Sequence, residues 1–432
     1  MASEEKYNKM KVSQTTTLLR TKITKILTLL FLVRLGLYIP VPNVDLDIFS
    51  QGQSLNPLFG FARTLTGSSF LGIGSLGILP YINSSIIIQL LTSVFPSLER
   101  LQKEEGELGR QKISKYTRYL TCVWAIVLST LIAIFLVKPV VFNWSFELAL
   151  KIILSLTTGS LLSMWFAELI TEESLGNGSS MIIFINIVGS IPNSFGEFSK
   201  KLTGASYLDI VFLLGQGILI YLFIVFIIVL FQDAYKKINI VSAKQLNINY
   251  SDQNLPSGDL KNSYIPIKLN QGGIMPLVFS STIATFLYYP LQFFANSSIG
   301  SSLSFMPILM TTYSFALNIV LVIFFSGFYA LLVLKPVDIS QNLAKMAYSI
   351  PGIRQGNQTT QYLKQTVSRL AFMGGLFLAF LAFFPILLGN IFQFNIFKNV
   401  TSLLILVGVI TDTTAQIRGY LISRNYEGFK KT

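Results

Sequence analysis

The chain has no histidine and a single cysteine, Cys122, among its 432 residues. Without histidine it lacks the side chain that most often shuttles protons or binds metals near neutral pH. One cysteine cannot close an internal disulfide, and no second thiol or imidazole exists to complete a thiol-based active site or a soft-metal site. Cys122 lies in the apolar run YLTCVWAIVLSTLIAIFLV and reads as a small buried side chain. Charge is scarce as well: 12% of residues are Asp, Glu, Lys or Arg, about half of what soluble domains carry. The acids are scarcer than the bases, 20 against 33. From Leu269 to Leu334 there is no charged residue at all, a length sufficient for two bilayer-crossing helices and a turn. A water-soluble domain has no way to bury such a segment together with the others like it, so the chain is read as a polytopic membrane protein.

What is present is long apolar runs, with 52% hydrophobic residues and 35 Phe. A transmembrane barrel would show roughly ten-residue segments of alternating polarity; these runs are longer and solidly apolar, which predicts helices. Ten spans are expected, at about 22–41, 75–95, 118–137, 148–170, 179–196, 207–231, 269–290, 307–334, 368–389 and 399–419. The first 25 or so residues are polar and basic, and the first apolar stretch ends in LYIPVP rather than at a small-residue cleavage site, so it is expected to remain as a helix. The fifth span is short and the tenth carries Asp412, features tolerated where a helix faces protein or an aqueous cavity. With the N-terminus on the cytoplasmic or stromal side, only Arg63, Lys138, Lys151, Lys200, Lys201 and Lys398 are assigned to the far side. The net charge of +13 is therefore a topology signal, with both termini on the basic side. It is spread over separate loops and tails, unlike a nucleic-acid-binding patch. The long loops 96–117, 232–268 and 335–367 share that side and offer a surface for a soluble partner. Between the first two spans, Leu58 to Phe70 is too short to cross and holds Gly60 and Gly67. It reads either as a re-entrant helix or as a surface loop. Gly72, Gly74 and Gly77 follow, where backbones can bend or approach closely.

Several segments, in order, resemble the SecY/Sec61 family, the central subunit of protein-conducting channels. LGILPYINSSIIIQLL resembles the start of that family's second helix, and KEEGELGRQKISKYTRY at 103–119 the loop after it. WFAELITEESLGNGSSMIIFINIVGSIP at 165–192 resembles the fourth and fifth helices with their Gly-Asn-Gly joint. IPIKLNQGGIMPLVF at 265–279 resembles the approach to helix seven, and IPGIRQGNQTTQYL at 350–363 the large loop before helix nine. The resemblance extends over residues 15–429. Several segments look more like cyanobacterial and plastid members than enterobacterial ones, among them LKPVDISQNLAKM and ISRNYEGFKK.

The resemblance implies an all-α polytopic fold: ten transmembrane helices in two five-helix halves, 1–196 and 207–419, around an hourglass pore, followed by a short tail at 420–432. It implies a passive channel for unfolded preproteins, with no catalysis and no cofactor, that opens sideways to lipid between helices two and seven. The family's ring of bulky aliphatic residues at the pore waist falls on Ile78 and Ile82, Ile183 and Ile187, Val278 and Ile405. The spacing agrees in part, since each Ile pair is separated by four residues and shares a helix face. Val278 stands where isoleucine is commoner, one methylene smaller. An apolar waist excludes ions by dewetting and offers a passing chain no preferred hydrogen bonds. Residues 58–73 align with the family's plug. Asn83 and Gln89 fall near the lateral gate, and as amides in an apolar helix they are expected to bond across helices or to water.

Arg354 occupies the arginine of the IPGIR motif, which in the family meets the motor ATPase or the ribosome. The 232–264 loop lacks the double-arginine cluster of many bacterial members, and Lys236, Lys237 and Lys244 are its nearest substitutes. The implied partners are a SecE subunit, the SecA motor ATPase, the ribosome at the same surface, room for a third small subunit, preproteins and lipid. The implied location is the thylakoid membrane of a plastid with both termini in the stroma, or alternatively a bacterial plasma membrane. A small-solute transporter is the competing reading, with Asp209, Glu168 and Asp412 as candidate coupling carboxylates; by the topology above they do not form a central triad. An intramembrane hydrolase lacks the required nucleophile–base constellation.

Overall fold

The computed structural model describes residues 2–42, 72–138, 141, 144–173, 176–189, 207–242, 263–273, 275–280, 283–284, 287, 306–392 and 400–429. The chain divides into two compact units, Met1–Lys201 with Ile405–Thr432, and Leu202–Leu404. Among the described residues both are built mainly of long helices.

The first unit opens with α1 (Ala2–Gly36). A short 3-10 turn (Ile73–Leu76) leads into α2 (Leu79–Val94), with Pro80 in its first turn, where proline's missing N–H costs nothing. α2 stops at Phe95, whose backbone is extended because Pro96 follows. α3 (Pro96–Glu104) then begins, and α4 (Gly106–Ile132) runs on into a single π turn at Ala133–Val137. α5 (Phe146–Glu172) is capped by Ser145, whose Oγ accepts the Leu148 N–H. α6 follows as Gly178–Gly189. α4 and α5 pack through small residues, with Ser129 and Thr157 sharing a buried hydroxyl bond of 3.0 Å. The apolar cluster beside them joins Leu76, Ala125, Ala133, Leu148, Ile152 and Leu156. At one end of the unit Glu173 gathers α1: Lys25 lies 3.0 Å from its carboxylate, and Lys22 donates to its backbone carbonyl at 2.8 Å while facing the Tyr420 ring.

The second unit contains α7 (Tyr207–Asp233), β1 (Tyr235–Asn239), β2 (Val241–Ser242), β3 (Tyr264–Lys268), α8 (Met306–Leu334), α9 (Pro336–Lys345), β4 (Tyr348–Ser349) and α10 (Asn357–Phe392). α8 meets α10 at a seam of small residues. A Cβ on Gly375 would lie only 3.1 Å from the Ile323 Cα, and Ser326 Oγ donates to the Ala371 carbonyl at 2.9 Å. Phe231 and Phe377 stack between α7 and α10 at 3.8 Å. The last helix, α11 (Val400–Phe429), clusters with the first unit from Ile405 onward.

Among the described residues, three helical stretches are long and apolar enough to cross a membrane by length and composition alone: Ile73–Val94, Phe146–Glu172 and Ala316–Lys345. Described helices also overlap every other expected span, the seventh only through 275–280 and a few residues beyond. Large apolar side chains on the outer faces, such as Phe31, Leu219, Phe226 and Phe324, are exposed. Acyl chains are a natural neighbour for such faces, and water is not.

Candidate pore ring and partner-facing loops

The approach to α2 is held by backbone contacts that only glycine permits. Pro40 and Gly72 form an antiparallel bridge, and the Ile73 N–H donates to the Ile39 carbonyl at 2.9 Å. A Cβ on Gly72 would press within 2.7 Å of the Leu37 carbonyl carbon, and one on Gly159 of α5 within 2.6 Å of that of Ile73. The close approach expected of this glycine-rich segment is therefore present, with α1 on one side and α5 on the other.

From this root α2 presents Ile78, Ile82 and Ile86 on one buried face, whereas Ile87 is half-buried. α6 begins at the Gly-Asn-Gly joint, where the Gly178 N–H donates to Thr171 Oγ1 at 2.9 Å and Asn177 Oδ1 accepts the Ser179 N–H at 3.1 Å. It carries Ile183 and Ile187, both buried, and Ile405 of α11 is buried in the same unit. In the second unit Val278 is buried on the 275–280 turn, beside Phe279, which meets Phe325 edge-to-face at 4.6 Å. Each of the six aliphatic candidates is 6% exposed or less.

Asn83 lies on the buried face of α2. It is 3% exposed, and its Oδ1 has no hydrogen-bond partner among the described residues, because the buried face of α2 that carries it is otherwise largely aliphatic. Gln89 lies on the exposed side of α2. Asn186 on α6, which the sequence reading did not single out, is likewise buried with an unpartnered Oδ1.

The two long loops of the second unit, treated separately in the sequence, join in the structure. β1 pairs with β3 in an antiparallel ribbon, with Lys236 opposite Ile267 and Lys237 opposite Pro266. β2 pairs with β4, Val241 opposite Ser349, immediately before the IPGIR motif. Ile238 and Ile267 bury into a cluster with Ala330, Ile350, Leu363 and Val367, which fastens both loops to α8 and α10. Lys236, Lys237 and Arg354 are exposed on this platform. The Lys237 ammonium lies 5.0 Å from the Tyr264 ring and 5.7 Å from that of Tyr235. Gly352 and Gly356 flank Arg354 at positive φ of 79° and 96°, which L side chains rarely adopt. Thr359 Oγ1 donates to the Arg354 carbonyl at 2.9 Å. Lys244 and plug residues 58–71 lie outside the described residues.

Of the transporter candidates, Glu168 is engaged by Arg118 of α4 at 2.9 Å. In the charge count Arg34 figures only as one of the cations of the basic side. It sits in the last turn of α1, well inside the first span, and an ionisable residue in such a run was itself the available signal.

Solved structures share this fold. The chain matches "The structure of a protein conducting channel" with a TM-score of 0.64 at 16% identity, over 93% of each chain. It matches "Sec61 in the Canine ribosome-channel complex from the endoplasmic reticulum" with 0.60 at 15%, again over 93% of each. In sequence it is 67% identical to the protein translocase subunit SecY of Emiliania huxleyi, over 98% of this chain and all of that one. It is 43% identical to that of Guillardia theta, over 95% and 96%, and 41% identical to that of a Synechocystis strain, over 96% and 94%. The SecY family profile matches residues 72–414, and the chain belongs to the SecY family.

Proposed function

We propose that this chain is the pore-forming subunit of a protein translocase, conducting unfolded preproteins across a membrane and releasing apolar segments into lipid. The observation that carries this reading is end-to-end similarity to translocase subunits, 67% identity with complete coverage of one relative. The waist is Ile78, Ile82, Ile183, Ile187, Val278 and Ile405; their uniform burial supports a tight apolar constriction. Such a ring seals by dewetting and needs no catalytic group, so the chain acts passively and other subunits supply the energy. Residues 1–196 and 207–419 act as two halves of an hourglass, with 58–73 as plug and the gate region of α2 at Asn83 and Gln89.

The joined loop platform is the docking surface. Lys236, Lys237, Lys244 and Arg354 supply positive charge that pairs with carboxylates of a motor ATPase such as SecA or with the phosphates of a ribosome. A SecE-type subunit clamps the two halves, with room for a third small subunit. The relatives from Emiliania huxleyi, Guillardia theta and Synechocystis support a plastid thylakoid membrane with both termini in the stroma.

Photocrosslinkers at single positions in the reconstituted translocase, with a preprotein stalled in transit, test the waist. Strong adducts are expected at Ile82, Ile183, Ile187 and Ile405 and weak ones at Ile87; the reverse pattern refutes the ring. Replacing several ring isoleucines by glycine is expected to preserve transport while letting ions leak through the resting channel.

A further inference from the structure

We propose that Arg34 is a positioning residue for the pore, anchoring the part of α6 that carries Ile187; this rests on the reading of Ile183 and Ile187 as waist residues. An arginine inside an apolar span is costly and is retained where it has a defined partner. Here that partner is a backbone carbonyl: Arg34 Nη2 donates to the Gly189 oxygen at 3.0 Å, across 155 residues of sequence. The guanidinium also faces the Tyr38 ring at 5.6 Å. Gly189 is shaped for this contact. A Cβ there would stand 2.7 Å from Arg34 Nε and closer still to the guanidinium carbon, so the cation occupies the volume a side chain would fill.

The described part of α6 is Gly178–Gly189, and its beginning is tied down by Thr171 and Asn177. Ile187 lies two residues before Gly189, about 3 Å along the axis, and Ile183 one turn further back. The bond that seats Gly189 therefore fixes how far both side chains reach.

The experiment uses the complete translocase in planar bilayers, comparing Arg34→Gln, Arg34→Lys, Gly189→Ala and the control Gly36→Ala, at which an added Cβ has nothing within 4 Å. Losing one charge-assisted hydrogen bond shifts the balance between a seated and a displaced Gly189 by about tenfold, so Arg34→Gln is expected to raise resting ion flux about tenfold while preprotein transport continues. Arg34→Lys keeps the charge without the planar fork and is expected to restore most of the seal. Gly189→Ala displaces the guanidinium while retaining it, and is expected to leak like Arg34→Gln; it carries the test if Arg34→Gln fails to assemble. A photocrosslinker at Ile187 is expected to lose adduct to a stalled preprotein in Arg34→Gln, while one at Ile82 keeps it. Silent channels and unchanged Ile187 adducts in both Arg34→Gln and Gly189→Ala, with leak in an Ile183→Gly and Ile187→Gly double variant, overturn this inference alone. If that double variant is itself silent, the waist reading falls and this inference with it.

Discussion

Replacing Gly159 by alanine is a minimal perturbation with a calculable outcome. The new Cβ would lie 2.6 Å from the Ile73 carbonyl carbon and 2.9 Å from its Cγ2, where carbon atoms settle at about 3.5–4.0 Å. One of the backbones must retreat by about 1 Å. Overpacking of that kind costs roughly 1–3 kcal/mol. If Ile73 is what moves, its 2.9 Å bond to the Ile39 carbonyl is stretched past useful length, a further ~1 kcal/mol. Alanine returns up to ~1 kcal/mol of helix propensity, leaving a net loss of about 2 kcal/mol, or roughly 4–8 °C in melting midpoint for a unit of this size. Fluorescence-detected melting of the purified translocase in mild detergent measures it, at one scan rate because unfolding there is a rate process. Gly36→Ala, with nothing within 4 Å, is the matched control and is expected to be neutral or slightly stabilising. If Gly159→Ala melts with the parent, the contact between α5 and the root of α2 is not the tight backbone seam described, and the argument that this seam positions Ile78 and Ile82 fails.

Ile267→Ala removes a side chain that is 1% exposed beneath the loop platform and is expected to cost about 2–5 kcal/mol. Amide exchange should accelerate in 235–239 and 348–350 while α5 stays protected; uniform acceleration would contradict a local platform core. Arg118→Ala breaks the pair with Glu168, but the arginine is half exposed, so a loss of no more than ~1 kcal/mol is expected and a large fall in melting midpoint would show a deeper role. Charge reversal at Lys237 and Arg354 together is expected to weaken co-flotation of ribosomes or motor ATPase with proteoliposomes and to make what binding remains less sensitive to salt; unchanged binding would move the docking surface elsewhere.

Much of this protein was legible without coordinates because the signals are local. An apolar run of bilayer length is a helix wherever it occurs, since lipid leaves the backbone no other donor or acceptor. The i,i+4 spacing of Ile78 and Ile82 assigned them to one face, and burial agrees. The ordered motifs pointed to the SecY family before any coordinates or comparison. What the sequence could not supply depends on contacts between distant segments. Nothing local to VSAKQ says that Val241 pairs with Ser349 and joins two loops into one platform. Gly159 reads as an ordinary helical glycine until the Ile73 carbonyl is found against it. Arg34 counted only as positive charge until the fold brought the Gly189 carbonyl to it. Local pattern fixes which face of a helix is apolar; which backbone lies across that face is decided when the helices pack, because close approach is a property of two surfaces and each sequence segment describes only one.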